Sequence, residues 1–306
     1  MSSVPRHVLT VWLSVAAAAV AGAAGAAPPA DPAAQQRVAR ERDLFVTVTT
    51  RDDSPVTDLR PQDFVVREDG VRREVLAVRR ATGPVTVALM IDNSAAAAPY
   101  VSDIRRALKA FVERLDPNSP IAVTTVADRP TIVQDYTQDR KAVLAAVDRI
   151  FSLPDSGSTF LEGLRELSKG LAGRDFERAA IVAVSTQGPE VSDRHFSQVL
   201  PAVRASGASL EVLVITQPGG EDLRDEGARN RAFAVDQGSR DTGGGRMELL
   251  TSMSLGAAME NVAAQLNNQY RVTYARPDSL VPPEKIEVSV SRPGLTARGT
   301  PARTPR

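Results

Sequence analysis

The chain has 306 residues, 42% hydrophobic and 24% charged, with 37 basic and 37 acidic side chains. That is globular composition with room for one large or two smaller domains, and the zero formal charge gives no general electrostatic reason to bind nucleic acid or an anionic membrane surface. There is no cysteine and only two histidines, His7 and His195, which excludes disulfides, thiol catalysis and zinc–cysteine sites and leaves little for triad hydrolysis or a His-ligated transition metal.

Arg6 and His7 precede an Ala-rich apolar run over residues 8–23, and Ala24-Gly25-Ala26 follows with a small-x-small cleavage pattern. Residues 1–26 are therefore expected to be a signal peptide, placing the mature protein in the periplasm or outside the cell. The competing reading, a retained membrane anchor, is opposed by the shortness of the run and the Pro-rich polar stretch after it. No other segment reaches the ~20 apolar residues that span a bilayer. Residues 27–41 read as a linker.

From Asp43, Leu44, Val46 and Val48 alternate with Phe45, Thr47 and Thr49, the period-two pattern of a strand. "DFVVREDGVRREVLAV" carries two more β-type runs around Asp69-Gly70, a hairpin turn signal. Residues 42–82 thus read as the N-terminal part of a β unit. Three strands alone are marginal, so they need something else to pack on.

After Pro84 the pattern changes. Continuous apolar runs at 85–91, 121–127, 131–136, 179–186 and 210–216 alternate with helical segments. Strands without polar alternation are buried on both faces, as in a parallel sheet covered by helices. The helices show their own period: Val101, Ile104, Leu108, Phe111, Val112 and Leu115 share one face, as do Val143, Val147 and Ile150, and Phe160, Leu161, Leu164, Leu167 and Leu171. Residues 83–267 are expected to form a doubly wound, mostly parallel α/β domain. Beyond the helix "SLGAAMENVAAQL", alternation returns in "YRVTYA" and "KIEVSVS", with "GLTARG" a candidate to pair beside them. Residues 268–299 are expected to complete the β unit, giving a discontinuous β-sandwich built from both ends of the chain, with 300–306 as a tail.

Several segments, in this order and spacing, resemble one family: "PVTDLRPQDFVVREDGVRREV", "VALMIDNS", "FVERLDPNSPIAVTTVADRP" with "DYTQD", "SGSTFLEGL", "AAIVAVSTQG", "SRDTGGGR" and "QLNNQYRVTYARP". They look like the secreted bacterial proteins with a VWFA-related domain, a branch of the von Willebrand factor type A family, over most of the chain after the leader. The resemblance implies a non-catalytic protein-interaction module. It also implies a divalent-cation site made of an Asp-x-Ser-x-Ser loop after the first α/β strand, a Thr from a second loop and an Asp at the end of the fourth strand. Carried over residue by residue, Asp92, Ser94 and Thr159 match. The second serine position is Ala96, and Gln187 stands where the second Asp is expected.

One hydroxyl and one charge are therefore missing from the implied shell. Mg²⁺ demands an octahedral oxygen shell and gives up its waters reluctantly, and affinity follows ligand charge and rigidity. No cofactor is expected unless Asp155 or Glu190, in neighbouring loops, compensates and restores Mg²⁺ binding. Asp92 has a second use as an acceptor for loop N–H groups, and Thr159 as an N-cap. Asn93 and Tyr100 are candidate interface residues beside the loop; a packing role for Tyr100 is an open alternative.

The remaining signals are plainer. "DTGGGR" has no Lys-Ser/Thr partner and reads as a turn. His195 is expected on a helix surface, and Asp225, Glu226 and Arg229 to Arg231 in a solvated stretch. No base, nucleophile and metal come together as an enzyme needs. The expected partner is an unidentified protein, with no nucleic acid and no membrane span after cleavage. A structural role in a cell-envelope assembly, contacted through the β unit, is the other reading.

Overall fold

The computed structural model describes residues 41–216, 224–277, 281, 283 and 285–302. The expected signal peptide and residues 27–40 of the expected linker lie outside them. The chain opens with β1 (Glu41–Thr49), β2 (Phe64–Glu68), β3 (Val71–Arg73) and β4 (Val75–Arg80). Asp69 (φ 48°) and Gly70 (φ 80°) make the tight turn between β2 and β3, as the dipeptide predicts. Four strands form here rather than the expected three. The second half of the hairpin breaks at Glu74: β3 stays paired with β2, while β4 crosses to a different sheet.

The α/β part contains β5 (Val85–Ile91), β6 (Ile121–Thr125), β7 (Thr131–Thr137), β8 (Arg178–Thr186), β9 (Ala208–Ile215) and β10 (Gly245–Leu249). Its helices are α1 (Val101–Arg114), α2 (Arg140–Asp148), α3 (Phe160–Ala172), α4 (Phe196–Ser206), α5 (Glu226–Asp241) and α6 (Leu255–Asn267). The sheet order is β10-β9-β8-β5-β6-β7, parallel throughout except between β6 and β7. Helices cover both faces, which is why the strands carry no polar alternation. On one face Val87, Leu89 and Ile91 pack with Leu108 and Phe111 of α1 and Met259 of α6. On the other, Ala88 and Met90 pack with Phe160, Leu161 and Leu164 of α3. Each such side chain contributes about 1.5–3 kcal/mol by leaving water.

The chain then returns to β structure in β11 (Tyr270–Ala275), β12 (Ile286–Val290) and β13 (Thr296–Pro301). These complete a four-stranded sheet, β13-β1-β11-β4, and a three-stranded one, β12-β2-β3. Leu44, Val46, Val48, Phe64, Val66, Val272 and Tyr274 fill the space between them. This is the discontinuous sandwich expected from the two ends of the chain. The buried carboxylate Glu68 is satisfied there, accepting from the Tyr274 hydroxyl at 2.8 Å and from Arg73 Nε at 3.0 Å.

Two details go beyond the pattern. β1 reads as a half-exposed strand, yet Phe45, Thr47 and Thr49 are buried too. That second face lies on the α/β part: Gln269 Nε2 donates to Thr47 Oγ1 at 3.2 Å, and the Arg178 guanidinium sits 5.8 Å from the Phe45 ring centroid. The expected tail from residue 300 is in part a strand, since β13 runs to Pro301 and Thr300 Oγ1 donates to Thr242 O at 2.6 Å. Gly243, Gly244 and Gly245 explain the close approach. A Cβ on Gly243 would overlap the Gly299 carbonyl, and one on Gly245 would overlap the Arg298 guanidinium. Arg298 thereby crosses the edge of the sheet to reach Glu211 Oε2 (3.4 Å) and Gln265 Oε1 (2.8 Å). The Gly-rich stretch is a turn, as read, and also the seam between sandwich and sheet.

Candidate cation site and binding face

Strand order reverses at β5, with β6 and β7 on one side and β8, β9 and β10 on the other. In such a sheet the loops leaving the carboxyl ends of the strands splay apart at the reversal and form a crevice. Asp92 directly follows β5 and is fully buried. Its Oδ1 accepts from Ser94 N at 3.0 Å; its Oδ2 accepts from Thr186 N at 3.1 Å and Thr186 Oγ1 at 2.5 Å. The carboxylate is thus spent on N–H and O–H donors of its own and the β8 loop. Thr186, its strongest partner, was not singled out by the sequence; the signal was its place at the end of an apolar strand.

Ser94 is fully buried and its Oγ has no hydrogen-bond partner; Ser158 Oγ is in the same position. Thr159 occupies the N-cap position of α3, but its side chain does not cap the helix. Its Oγ1 donates instead to Val126 O at 3.1 Å. The cap expected of Thr159 comes from the next loop: Glu190 Oε1 accepts from Leu161 N and Ser192 Oγ accepts from Glu162 N, both at 3.3 Å. A carboxyl oxygen answers a helix N–H here in place of the Thr159 hydroxyl, more strongly the more the carboxyl is ionised.

Glu190 is also buried, receives Ser192 Oγ at 2.5 Å on Oε1, and has Arg231 Nη1 3.5 Å from its Oε2. Burial pushes its carboxyl up to about 7, against the pull of Ser192 and Arg231. Arg231 is 3% exposed, which corrects its expected place in a solvated stretch; Asp225, Glu226 and Arg229 are exposed as expected. His195 is exposed, as expected, at the N-cap of α4, where Nδ1 accepts from Ser197 N.

The neighbouring candidates divide. Ala96 packs its methyl against Gly188, where any Cβ would overlap it, and Gln187 beside it is half-buried. Asp155 is exposed in a left-handed turn (φ 56°). Asn93 serves as a staple: Oδ1 accepts from Ala127 N at 2.9 Å, and Nδ2 donates to Phe151 O at 3.0 Å. Tyr100 is half-buried against the core shared by α1 and α6.

Residues 87–189 match the von Willebrand factor type A domain family. The fold is similar to a von Willebrand factor type A structure from Catenulispora acidiphila at 12% identity, over 86% of this chain and 72% of that one, with a TM-score of 0.47. It is also similar to the conserved hypothetical protein BatB from Bacteroides thetaiotaomicron, at 15% identity over 59% of this chain and 98% of that one (TM-score 0.45). A third is the vWF domain of the type V pili tip protein Mfa5 from Porphyromonas gingivalis, at 13% identity over 61% and 96% (TM-score 0.46). No curated protein sequence matches the chain.

Oxygens that could meet a divalent cation at this end of the sheet come from Asp92, Ser94 and Thr159. Asp92 is the one carboxylate, with both oxygens already accepting hydrogen bonds; Ala96 presents a methyl and Gln187 an amide. Ser94 Oγ is the buried, unpartnered oxygen such an ion would recruit there. Among the described residues no three Asp, Glu, His or Cys side chains gather as metal ligands. The loops around this position carry apolar groups. Among the described residues ten large hydrophobic side chains are exposed, and five of them lie on loops at this end of the sheet: Phe151, Leu153, Val191, Leu250 and Met253. Half of the exposed large apolar side chains thus lie at one end of the fold, on three separate loops.

Proposed function

We propose that the protein is an exported, non-catalytic interaction module of von Willebrand type A kind, which binds a protein partner through the loops around Asp92 without a resident cation. The apolar composition of that face carries the reading: Phe151, Leu153, Val191, Leu250 and Met253 are exposed around a carboxylate whose acceptors are used internally. Affinity then comes from apolar burial and loop shape, with aromatic side chains such as Phe151 as anchors. Export rests on the leader pattern of residues 1–26. No helix among the described residues is long and apolar enough to cross a membrane.

Titration calorimetry with Mg²⁺, Mn²⁺ and Ca²⁺ tests metal independence, with no saturable heat expected. A micromolar signal that Asp92→Ala abolishes would overturn the reading. Asp92→Ala is expected to lower stability by about 2–4 kcal/mol in metal-free buffer as well, since it strands the N–H groups of Ser94 and Thr186. The variant Ala96→Ser with Gln187→Asp is expected to gain a Mg²⁺-dependent rise in Tm that the natural sequence lacks, because it adds one hydroxyl and one charge to the shell.

A further inference from the structure

At the other end of the parallel sheet, where β5 and β8 begin, a pocket of about 130 Å³ lies between sheet and sandwich. Eight residues of strand separate it from the Asp92–Thr186 loops, ~25 Å along β8. Arg79, Arg80, Arg178 and Arg271 line it, together with Phe45, Gly83 and Glu177. Arg79 on β4 and Arg271 on β11 are directly opposed across the strand pair. Like charges in that register repel, so something has to offset them.

The carboxylates at hand are Glu177, 2.7 Å from Arg271 Nη1, and Asp43, 2.6 Å from Arg271 Nη2. Both serve Arg271. Among the described residues, Arg79 and Arg80 have no ion-pair partner, and the buried Arg178 feels the charges of Glu177 and Asp116 without a direct ion pair. Arg178 is 4% exposed. Its Nη1 donates to Leu266 O (3.0 Å) and Gln269 Oε1 (3.1 Å), neither in the pocket lining, and its Nη2 donates to Gly83 O, which is in the lining. Nε, on the same edge of the guanidinium as Nη2, has no hydrogen-bond partner. The Nε–Nη2 edge is the fork with which arginine takes an oxyanion; its Nη2 meets the pocket wall at Gly83 O, while Nε is closed off from solvent. A buried cation is costly unless it is paired, and the pocket opens beside this one.

We propose that this pocket binds a tetrahedral oxyanion of the phosphate class, held between Arg178, Arg79 and Arg271 with Arg80 at the rim. The pocket is far below the ~300–1,000 Å³ of sites that enclose larger organic ligands, so the bound group is a single phosphate, free or as the end of a monoester. Its position between β4, β11 and β8 makes it a link between sandwich and sheet.

The test is the Tm of the purified protein as sodium phosphate is raised against sodium chloride at matched ionic strength. Phosphate and sulfate are expected to raise Tm in proportion to ln(1 + [L]/Kd), and chloride and acetate are not. Arg79→Gln, at an exposed position with no internal partner, is expected to keep the resting Tm and weaken the phosphate response ~10-fold or more. Glu177→Gln, removing the one carboxylate of the lining, is expected to strengthen it. Glycerol 3-phosphate distinguishes the sources: a response equal to that of inorganic phosphate means the mouth admits a pendant monoester, and its loss means the free ion. Equal Tm rises with chloride or acetate, or a phosphate response unchanged in Arg79→Gln, would overturn the proposal.

Discussion

Arg231→Ala is expected to destabilise the protein by about 3–5 kcal/mol, because it strands Glu190 as a buried carboxylate without its cation. Urea denaturation followed by circular dichroism measures it. The effect also has a pH signature. The Glu190 carboxyl rises from 4.5 to about 7 on folding, with desolvation the main cause. Between those values the folded state holds a proton that the unfolded chain has lost. Stability from this group is therefore complete below pH 4.5 and is lost as pH rises through 7, by about 3 kcal/mol in all. Glu190→Gln is expected to flatten that slope. The loss in Arg231→Ala should be larger at pH 8 than at pH 5.5, since protonation relieves the stranded charge. An equal loss at both pH values would show that Arg231 acts through packing alone. Glu190→Leu with Arg231→Met is expected to recover part of the loss, because an apolar pair of similar volume leaves no charge unpaired.

Gly243→Ala should be comparably severe, at about 3–5 kcal/mol. Its φ of 68° suits glycine, and a methyl there would collide with the Gly299 carbonyl of β13, a backbone atom that can yield only if the strand moves. The expected result is a lower denaturation midpoint together with faster proteolysis around residues 296–302, as β13 lifts from the seam. Gly245→Ala should cost less. Its methyl meets the end of the flexible Arg298 side chain, and the cost is that of displacing Arg298 from Glu211, whose carboxyl burial pushes up. If Gly245→Ala proves the more damaging of the two, the seam is held by the ion pair rather than by backbone contact.

The two glycines also show where sequence reading stops. "DTGGGR" is legible as a turn because glycine permits positive φ, a local property. That the same residues carry β13 and Arg298 across the sheet edge is a contact between segments about fifty residues apart, and no local pattern records it. The same holds at the loop face. Asp92, Ser94 and Thr159 come to one end of the sheet, as the strand pattern implies, because apolar runs end where strands leave the core. Thr159's hydroxyl turns to Val126 O, however, and Glu190 takes the helix end together with an arginine that reads as solvated. The charge-rich stretch around Arg231 implies exposure. Its burial depends on the β8–α4 loop folding back over α3, which only the packed structure can show.

The β–α/β–β order, the hairpin at Asp69-Gly70, the two-faced burial of β5, β8 and β9, and the chemistry absent from Ala96 and Gln187 are legible along the chain. All of these follow from side-chain type and period, which act over a few residues. Which charges are paired is set by packing. Glu190 with Arg231, Arg298 with Glu211, and the opposed Arg79 and Arg271 beside Arg178 come from distant parts of the chain. Electrostatic partnership depends on distance and desolvation in the packed state, and neither is encoded within a local window.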